Sequence, residues 1–192
     1  MKALAICGSP RLGGNTEQLL RRCLGRLETN GIQGELIALA GKSIQGCTAC
    51  LSCRGLTETR CGVDDDFNPV LDRILAADIV VVGSPVHFGS ATPVLSAVLD
   101  RAGYVARGKG NPLSRKLGGP IVVARRAGQN FTYAQLLLWY MINDMIVPGS
   151  SYWNVAFGRE VGEVQNDDEG LRTIDRFADN LAFLAERLAG CA

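Results

Sequence analysis

No sign of charge dominates this sequence: its 192 residues carry 20 Lys and Arg against 19 Asp and Glu, for a formal net charge of +1. No run of five like charges interrupts that balance. A broad basic face for nucleic acid or for an anionic membrane is excluded, and a local positive pocket is the most that the composition allows. Long apolar runs are absent as well. The stretch Met1 to Gly8 is too short for a signal peptide with its cleavage site, and no later segment approaches the roughly 18 apolar residues of a membrane span. The expectation is a cytoplasmic protein with no nucleic-acid or membrane partner. There is also no internal repeat and no linker that would separate two units. With 47% hydrophobic residues, a single domain over 1–192 can bury roughly two-thirds of its unfolded surface, so neither a disulfide nor a metal is needed for stability.

What the sequence does hold is cysteine, seven in all. Cys7 and Cys23 sit in apolar patterns and Cys191 lies in the tail. Cys47, Cys50, Cys53 and Cys61 fall within fifteen residues, too crowded for an ordinary disulfide framework in a core-rich domain, and metal or redox chemistry is the better reading. Gaps of two, two and seven residues, among flexible neighbours such as Gly46, Ala49 and Gly55, let a turning backbone aim successive thiolates at one iron-sulfur cluster. Four thiolates also suit zinc, a Cys-x2-Cys pair suits thiol–disulfide exchange, and a metal-free loop satisfies the same spacing.

Residues 2–7 form an apolar run that Gly8-Ser9-Pro10 stops, which predicts a first strand. Asn15, with Gln18 three residues on, reads as the capping box of a helix whose apolar face is Leu19, Leu20, Cys23, Leu24 and Leu27 and which Gly31 ends. A second strand is expected at 35–39, then a turn-rich, cysteine-rich insertion at about 41–66. A helix at 68–77 leads into the near-continuous apolar run 78–83, which reads as a central parallel strand. Thr92 and Pro93 start a helix that ends near Gly103. Residues 104–118 read as loop, 120–124 as the fourth strand, 131–142 as helix, and Ile146-Val147 as a short fifth strand. From Asp168 onward Leu171, Ile174, Phe177, Leu181, Leu184 and Leu188 recur at steps of three and four, an amphipathic helix. Strands alternating with helices imply an α/β, doubly wound parallel sheet with helices on both faces. Function in such folds sits beyond the carboxyl ends of the strands, which selects the loops beginning at residues 8, 83 and 125.

The first of these, Gly8-Ser9-Pro10-Arg11-Leu12-Gly13-Gly14-Asn15-Thr16, has the content of a phosphate site. Its glycines allow close backbone approach, a helix start attracts anions, and Ser9, Asn15 and Thr16 carry hydrogen-bonding side chains. Arg11 could add a guanidinium contact. The same residues would also make a plain glycine-rich turn in which Asn15 merely caps the helix. No lysine occupies the Walker position and no G-x-G-x-x-G follows this strand, which weighs against a P-loop nucleotidase and a standard dinucleotide fold. The second loop, Gly83 to Thr92, offers a proline–glycine corner beside Phe88 that suits a planar heterocycle.

Gly8-Ser9-Pro10-Arg11 with Gly14-Asn15-Thr16, followed by Ser84-Pro85-Val86-His87-Phe88-Gly89-Ser90 and a helix ending Leu99-Asp100-Arg101, closely resembles the NADPH-dependent FMN reductase family. The resemblance implies a flavodoxin-like sandwich with a five-stranded sheet in the order 2-1-3-4-5. It assigns the FMN phosphate to Ser9, Arg11, Gly14, Asn15 and Thr16 and the isoalloxazine border to Pro85, Val86, His87, Phe88 and Gly89. A third flavin-facing loop would come from residues 125–129, with Arg125 and Gly128 in it. His87 stands where the family commonly has tyrosine, and it reads first as a structural or hydrogen-bonding residue. No catalytic side chain is implied, because hydride transfer from NAD(P)H as co-substrate belongs to the flavin.

The cysteine motif followed by Asp64-Asp65 resembles the iron-sulfur flavoprotein branch of that family. This implies a [4Fe-4S] cluster on Cys47, Cys50, Cys53 and Cys61, and a ferredoxin-like donor alongside NAD(P)H. The expected function is an FMN-dependent oxidoreductase that passes electrons to a flavin, a quinone or a protein acceptor. The alternative is a non-enzymatic FMN electron carrier. The family layout further implies a homodimer or homotetramer, with Tyr152, Trp153 and Phe157 as candidates to close the pocket of another subunit.

Overall fold

The computed structural model describes residues 1–189, so Cys191 lies outside the described residues. Five parallel strands build one sheet: β1 (Lys2–Cys7), β2 (Gln33–Ala38), β3 (Ile79–Pro85), β4 (Leu117–Ala124) and β5 (Val155–Phe157). Their order is β2-β1-β3-β4-β5, a flavodoxin-like arrangement. Among the described residues six α-helices accompany them: α1 (Asn15–Glu28), the short α2 (Ser52–Gly55), α3 (Phe67–Ala76), α4 (Pro93–Arg107), α5 (Gln129–Ile142) and α6 (Asp168–Ala189). None is long and apolar enough to cross a membrane, among the described residues.

The alternation of side chains along each strand divides the core into two layers. Leu4, Ile6, Val80, Val82 and Val122 point to the face covered by α3, α4 and α5, where they meet Leu71, Ile74, Leu95, Val98 and Tyr140. Ala3, Ala5, Ile79, Val81, Ile121 and Val123 point to the opposite face and meet Leu19, Leu20 and Leu27 of α1 and Ile174, Phe177 and Leu181 of α6. Strands β3 and β4 are buried along nearly their whole length, whereas edge strand β2 is half-exposed. That is why 79–83 is a continuous apolar run and 33–38 is not.

Four sequence expectations are corrected. The fifth strand is not Ile146-Val147: Ile146 makes only an isolated bridge to Leu117, and the true β5 pairs Val155, Ala156 and Phe157 with Val122, Val123 and Ala124. A strand of three residues is too short to show a period. Asn15 is not the cap of α1 but its first residue, Gly14 occupies the cap position, and the Gln18 amide bonds Gly13 O instead of closing a capping box. Gly103 does not end α4, which runs on with Val105 and Ala106 buried. The helix packs there on α5: Trp139 Nε1 donates to Leu99 O, and a Cβ on Gly103 would meet Trp139 Nε1 at an ordinary contact distance of 3.5 Å. The fourth strand starts earlier than expected, at Leu117, and includes the glycine pair 118–119.

That pair is where both layers press on the sheet. A Cβ on Gly119 would sit 2.8 Å from Phe177 Cζ, and one on Gly118 would sit 2.9 Å from Tyr140 Cε1. The fully buried Tyr140 hydroxyl accepts from Val82 N–H at 3.1 Å and lies 3.0 and 2.9 Å from the carbonyls of Val80 and Gly119. Next to it Pro120 has no N–H to give to the ladder. Tyr140→Phe removes the only side-chain partner of these groups among the described residues, and its expected cost is roughly 1–3 kcal/mol for buried polar atoms left unpaired. Urea denaturation of the variant measures it.

Candidate functional site

Loops at the carboxyl ends of β1, β3, β4 and β5 surround a cleft of about 340 Å³. The first supplies Ser9, Pro10, Arg11, Gly14, Asn15 and Thr16; the second supplies Pro85, Val86 and His87; the third, Val123 and Arg125; the fourth, Gly158, Arg159 and Val161. Among the described residues three arginines and no carboxylate line it. In a chain of net charge +1, this is the local positive pocket.

The first loop is shaped by its own bonds. Arg11 N–H donates to Ser9 Oγ at 3.1 Å, Gly14 N–H donates to Arg11 O at 3.3 Å, and Gly13 turns through a left-handed conformation at φ 65°. A Cβ on Gly14 would lie 3.0 Å from Arg11 O, so the turn is this tight only with glycine. The loop delivers the chain into α1, whose first N–H groups have no intrahelical acceptor and whose dipole favours an anion. Glu17, buried at the helix start, accepts the Gly13 N–H at 2.8 Å and pairs with Arg21. The backbone bond, ahead of Arg21, holds its carboxyl below the usual range. Cys7, at the end of β1, is pushed up to about 11 by burial and Cys23 to about 12, which makes both inert core thiols.

Asn15 reaches across the cleft rather than into it. Its Nδ2 donates to Glu160 O and its Oδ1 accepts from Gly162 N–H, each at 2.8 Å, and a Cβ on Gly158 would collide with the same amide at 2.7 Å. Arg11 Nη1 adds a 3.3 Å bond to Arg159 O. The fourth loop is therefore tied to the first, and the sequence reading missed it together with Pro10 and Val123. The signal was the Gly158-Arg159-Glu160-Val161-Gly162 turn; placing the fifth strand at 146–147 moved it away from any strand end.

The second loop closes by a pair of backbone bonds between His87 and Ser90, with Phe88 at φ 51° and Gly89 at φ 79°, the tight turn of a primed hairpin. Phe88, expected at the isoalloxazine border, is fully exposed and does not line the cleft. Gly89 and Gly128 also lie behind the lining. Gly128, at φ 88°, leaves 2.9 Å between a Cβ and Val86 Cγ1, so its role is to pack the third loop onto the second.

Cys47, Cys50, Cys53 and Cys61 line one second pocket, with Val63, Arg101, Tyr104 and Val105 among its other walls and no carboxylate. Left-handed residues Ala49 and Leu51 turn the backbone between the first three cysteines. Cys47 and Cys50 are exposed and Cys53 and Cys61 buried. A 3.2 Å bond to the Ser52 hydroxyl is the main cause that lowers the Cys50 thiol. Among the described residues no three His, Cys, Asp or Glu donors are gathered where a metal ion could sit, so the four thiols surround the pocket without converging on one ion position.

The wall behind the thiols is a buried ion pair. Arg101 and Asp65 side chains are 1% and 4% exposed and make two bonds of 2.6 and 3.0 Å. Asp65 also accepts from the N–H groups of Gln45 and Phe67, and Arg101 donates to Gln45 O and lies 4.1 Å over the Phe67 ring. Burial alone would raise the Asp65 carboxyl, but the bonds from Arg101, Gln45 and Phe67 outweigh it and hold the group below its ordinary value.

The chain matches the NADPH-dependent FMN reductase family over residues 1–160. It is 34% identical over 189 residues to an iron-sulfur flavoprotein of Methanocaldococcus jannaschii, a match spanning 95% of this chain and 96% of that protein. An iron-sulfur flavoprotein of Methanosarcina thermophila is 29% identical over 194 residues, 97% of this chain and 96% of the relative. Among solved structures, a WrbA-like flavodoxin from Agrobacterium tumefaciens aligns with a TM-score of 0.69 at 14% identity, covering 97% of this chain and 98% of that one. RosB with a bound flavin intermediate aligns at 0.75 and 19% identity, covering 99% and 81%. Those two structural likenesses speak for the fold, and the family match for descent: the chain belongs to the NADPH-dependent FMN reductase family.

Proposed function

We propose that this chain is an FMN-dependent oxidoreductase that holds its flavin in the cleft at the carboxyl ends of the strands and takes electrons from NAD(P)H. The observation that carries the reading is a helix start and three arginines facing one cleft without a carboxylate. That donor set fits a phosphate monoester at the Ser9–Thr16 end. Pro85, at the end of β3, with Val86 and His87 just beyond it, forms the wall against which a flat ring would rest. Bound FMN would supply the hydride and electron chemistry. The protein's own part is to grip the phosphate, orient the ring and, through Arg125, favour negative charge near it.

The cysteine pocket fits an iron-sulfur cluster by its chemistry: four thiols around one cavity, a buried cation in its wall and no competing carboxylate. Cys47, Cys50, Cys53 and Cys61 would hold it, and the names of the archaeal relatives support the assignment. A bound [4Fe-4S] cluster would supply one-electron exchange with a ferredoxin-like donor or a protein acceptor. Assembly into a homodimer or homotetramer is supported by the exposed apolar stripe Phe131, Leu138 and Ile142 on α5 and by the half-exposed Tyr152 and Trp153.

The test is anaerobic purification followed by quantification of FMN, iron and acid-labile sulfide, then rapid mixing with NADPH or NADH. Bleaching of bound flavin with turnover to an added acceptor supports the oxidoreductase reading. Bleaching without turnover leaves an electron carrier, and failure to take up FMN from excess overturns the reading. Asn15→Asp supplies a narrower check: it keeps an acceptor for Gly162 N–H, loses the bond to Glu160 O and adds a carboxylate to an anion site. FMN affinity is expected to fall by about tenfold or more, the equivalent of a charge-assisted bond, and further than for Asn15→Ala. Titration by flavin fluorescence measures both.

A further inference from the structure

The mechanism leaves one buried charge without a task. Arg101 projects from the middle of α4, is 1% exposed, and is among the largest fully buried side chains of the protein. Its two terminal nitrogens are occupied by Asp65 and by Gln45 O, whereas its Nε is buried and, among the described residues, has no hydrogen-bond partner. An orphaned donor on a buried guanidinium is costly in a metal-free core. It lies in the wall of the cavity that the four cysteines surround. Asp65, the only carboxylate bonded to it among the described residues, does not line that cavity.

We propose that Arg101 is a positioning residue of the cysteine pocket, whose fixed positive charge and free Nε–H stabilise the added negative charge when a thiolate-bound iron-sulfur centre is reduced. The proposal rests on the reading that the cysteines hold such a centre. Reduction adds one electron, delivered from the flavin or from an external reductant, and no proton or bond change is required. The thiolate-ligated core becomes one charge more negative. A cation held in low dielectric, with a hydrogen bond offered to a ligand sulfur, shifts that equilibrium toward the reduced form. Asp65 fixes the guanidinium from behind and opposes it electrostatically at longer range. The arrangement thus gives the two members of one ion pair opposite effects on the same equilibrium.

The experiment is a spectroelectrochemical titration of the anaerobically purified holoprotein, with iron and sulfide measured on every sample. Arg101→Met is expected to lower the reduced-to-oxidised ratio of the cluster at fixed potential by about tenfold, which is about 59 mV for one electron. Asp65→Asn is expected to raise it, and Arg101→Lys, which keeps the charge, to stay within about threefold of the wild type. The FMN potential serves as the internal reference and stays put. A merely structural role would make the Arg101→Met and Asp65→Asn variants move together, by losing iron. Both ratios unchanged, or both shifted in the same direction, would overturn the proposal. If Arg101→Met does not fold, Asp65→Asn decides: an unchanged or lowered ratio sinks the idea. Wild-type protein that carries FMN but no iron or sulfide instead overturns the cluster reading, and is recognised before any variant is made.

Discussion

Arg11→Ala is expected to raise the dissociation constant for FMN by roughly ten- to a hundredfold while changing that for riboflavin by only about twofold. A hydrogen bond to a charged group contributes about 1.5–3 kcal/mol, and each 1.4 kcal/mol is about tenfold in affinity. Riboflavin has the same ring and ribityl chain without the phosphate, so the ratio isolates the anion contact. Arg11 has a second attachment, the bond to Arg159 O, and loss of that tether would loosen the fourth loop for both ligands. Equal weakening of FMN and riboflavin in equilibrium titrations would therefore reassign Arg11 from phosphate binding to loop tethering.

Asp65→Ala should lower the stability of the fold by about 3–5 kcal/mol at neutral pH, because it leaves the Arg101 guanidinium buried without its carboxylate. The double variant with Arg101→Met is expected to recover most of that loss, since replacing both charges by apolar groups removes the orphan as well as the pair. The same carboxylate clips the cysteine-rich segment down through Gln45 N–H, aided by Asp66, which accepts from Ser43 N–H. The pH dependence has a definite sign. The Asp65 carboxyl is held below its ordinary value of 3.8, so its contribution is fully present above that value and is lost as the pH falls through the lower folded-state value. The gap between wild type and Asp65→Ala should be constant near neutrality and narrow only below about pH 3.8. Guanidinium denaturation at several pH values tests the size, and a gap that widens in acid would contradict the assignment.

How much could be read beforehand depended on whether a residue's surroundings were local. The run Ile79 to Gly83 announced a doubly buried strand because both faces of β3 are covered, and the spacing of Ile174, Phe177 and Leu181 announced a helix lying on one layer. The first loop was legible for the same reason: its tight turn is made by Ser9, Arg11 and Gly14 bonding to one another. The role of Asn15 was not, since its partners lie 145 and 147 residues away. Nor was the fourth loop, because β5 has three residues and its identity is set by pairing with Val122 to Ala124, not by a pattern of its own. The exposure of Phe88 was not legible either, because it follows from the left-handed turn at Phe88-Gly89 and not from the residue type. The four cysteines were legible as a group; the cation in their wall was not, as Arg101 is forty residues further along the chain on α4.

The tie between Asn15 and the 158–162 loop has a consequence for the order in which the protein matures. Every other wall of the cleft is in place once residue 125 has been made, but the last wall and its anchor points arrive with Glu160 and Gly162. A nascent chain therefore exposes an unfinished cradle from the time residue 125 is made until the 158–162 loop has followed it, and only then can the tether on Asn15 close the cleft.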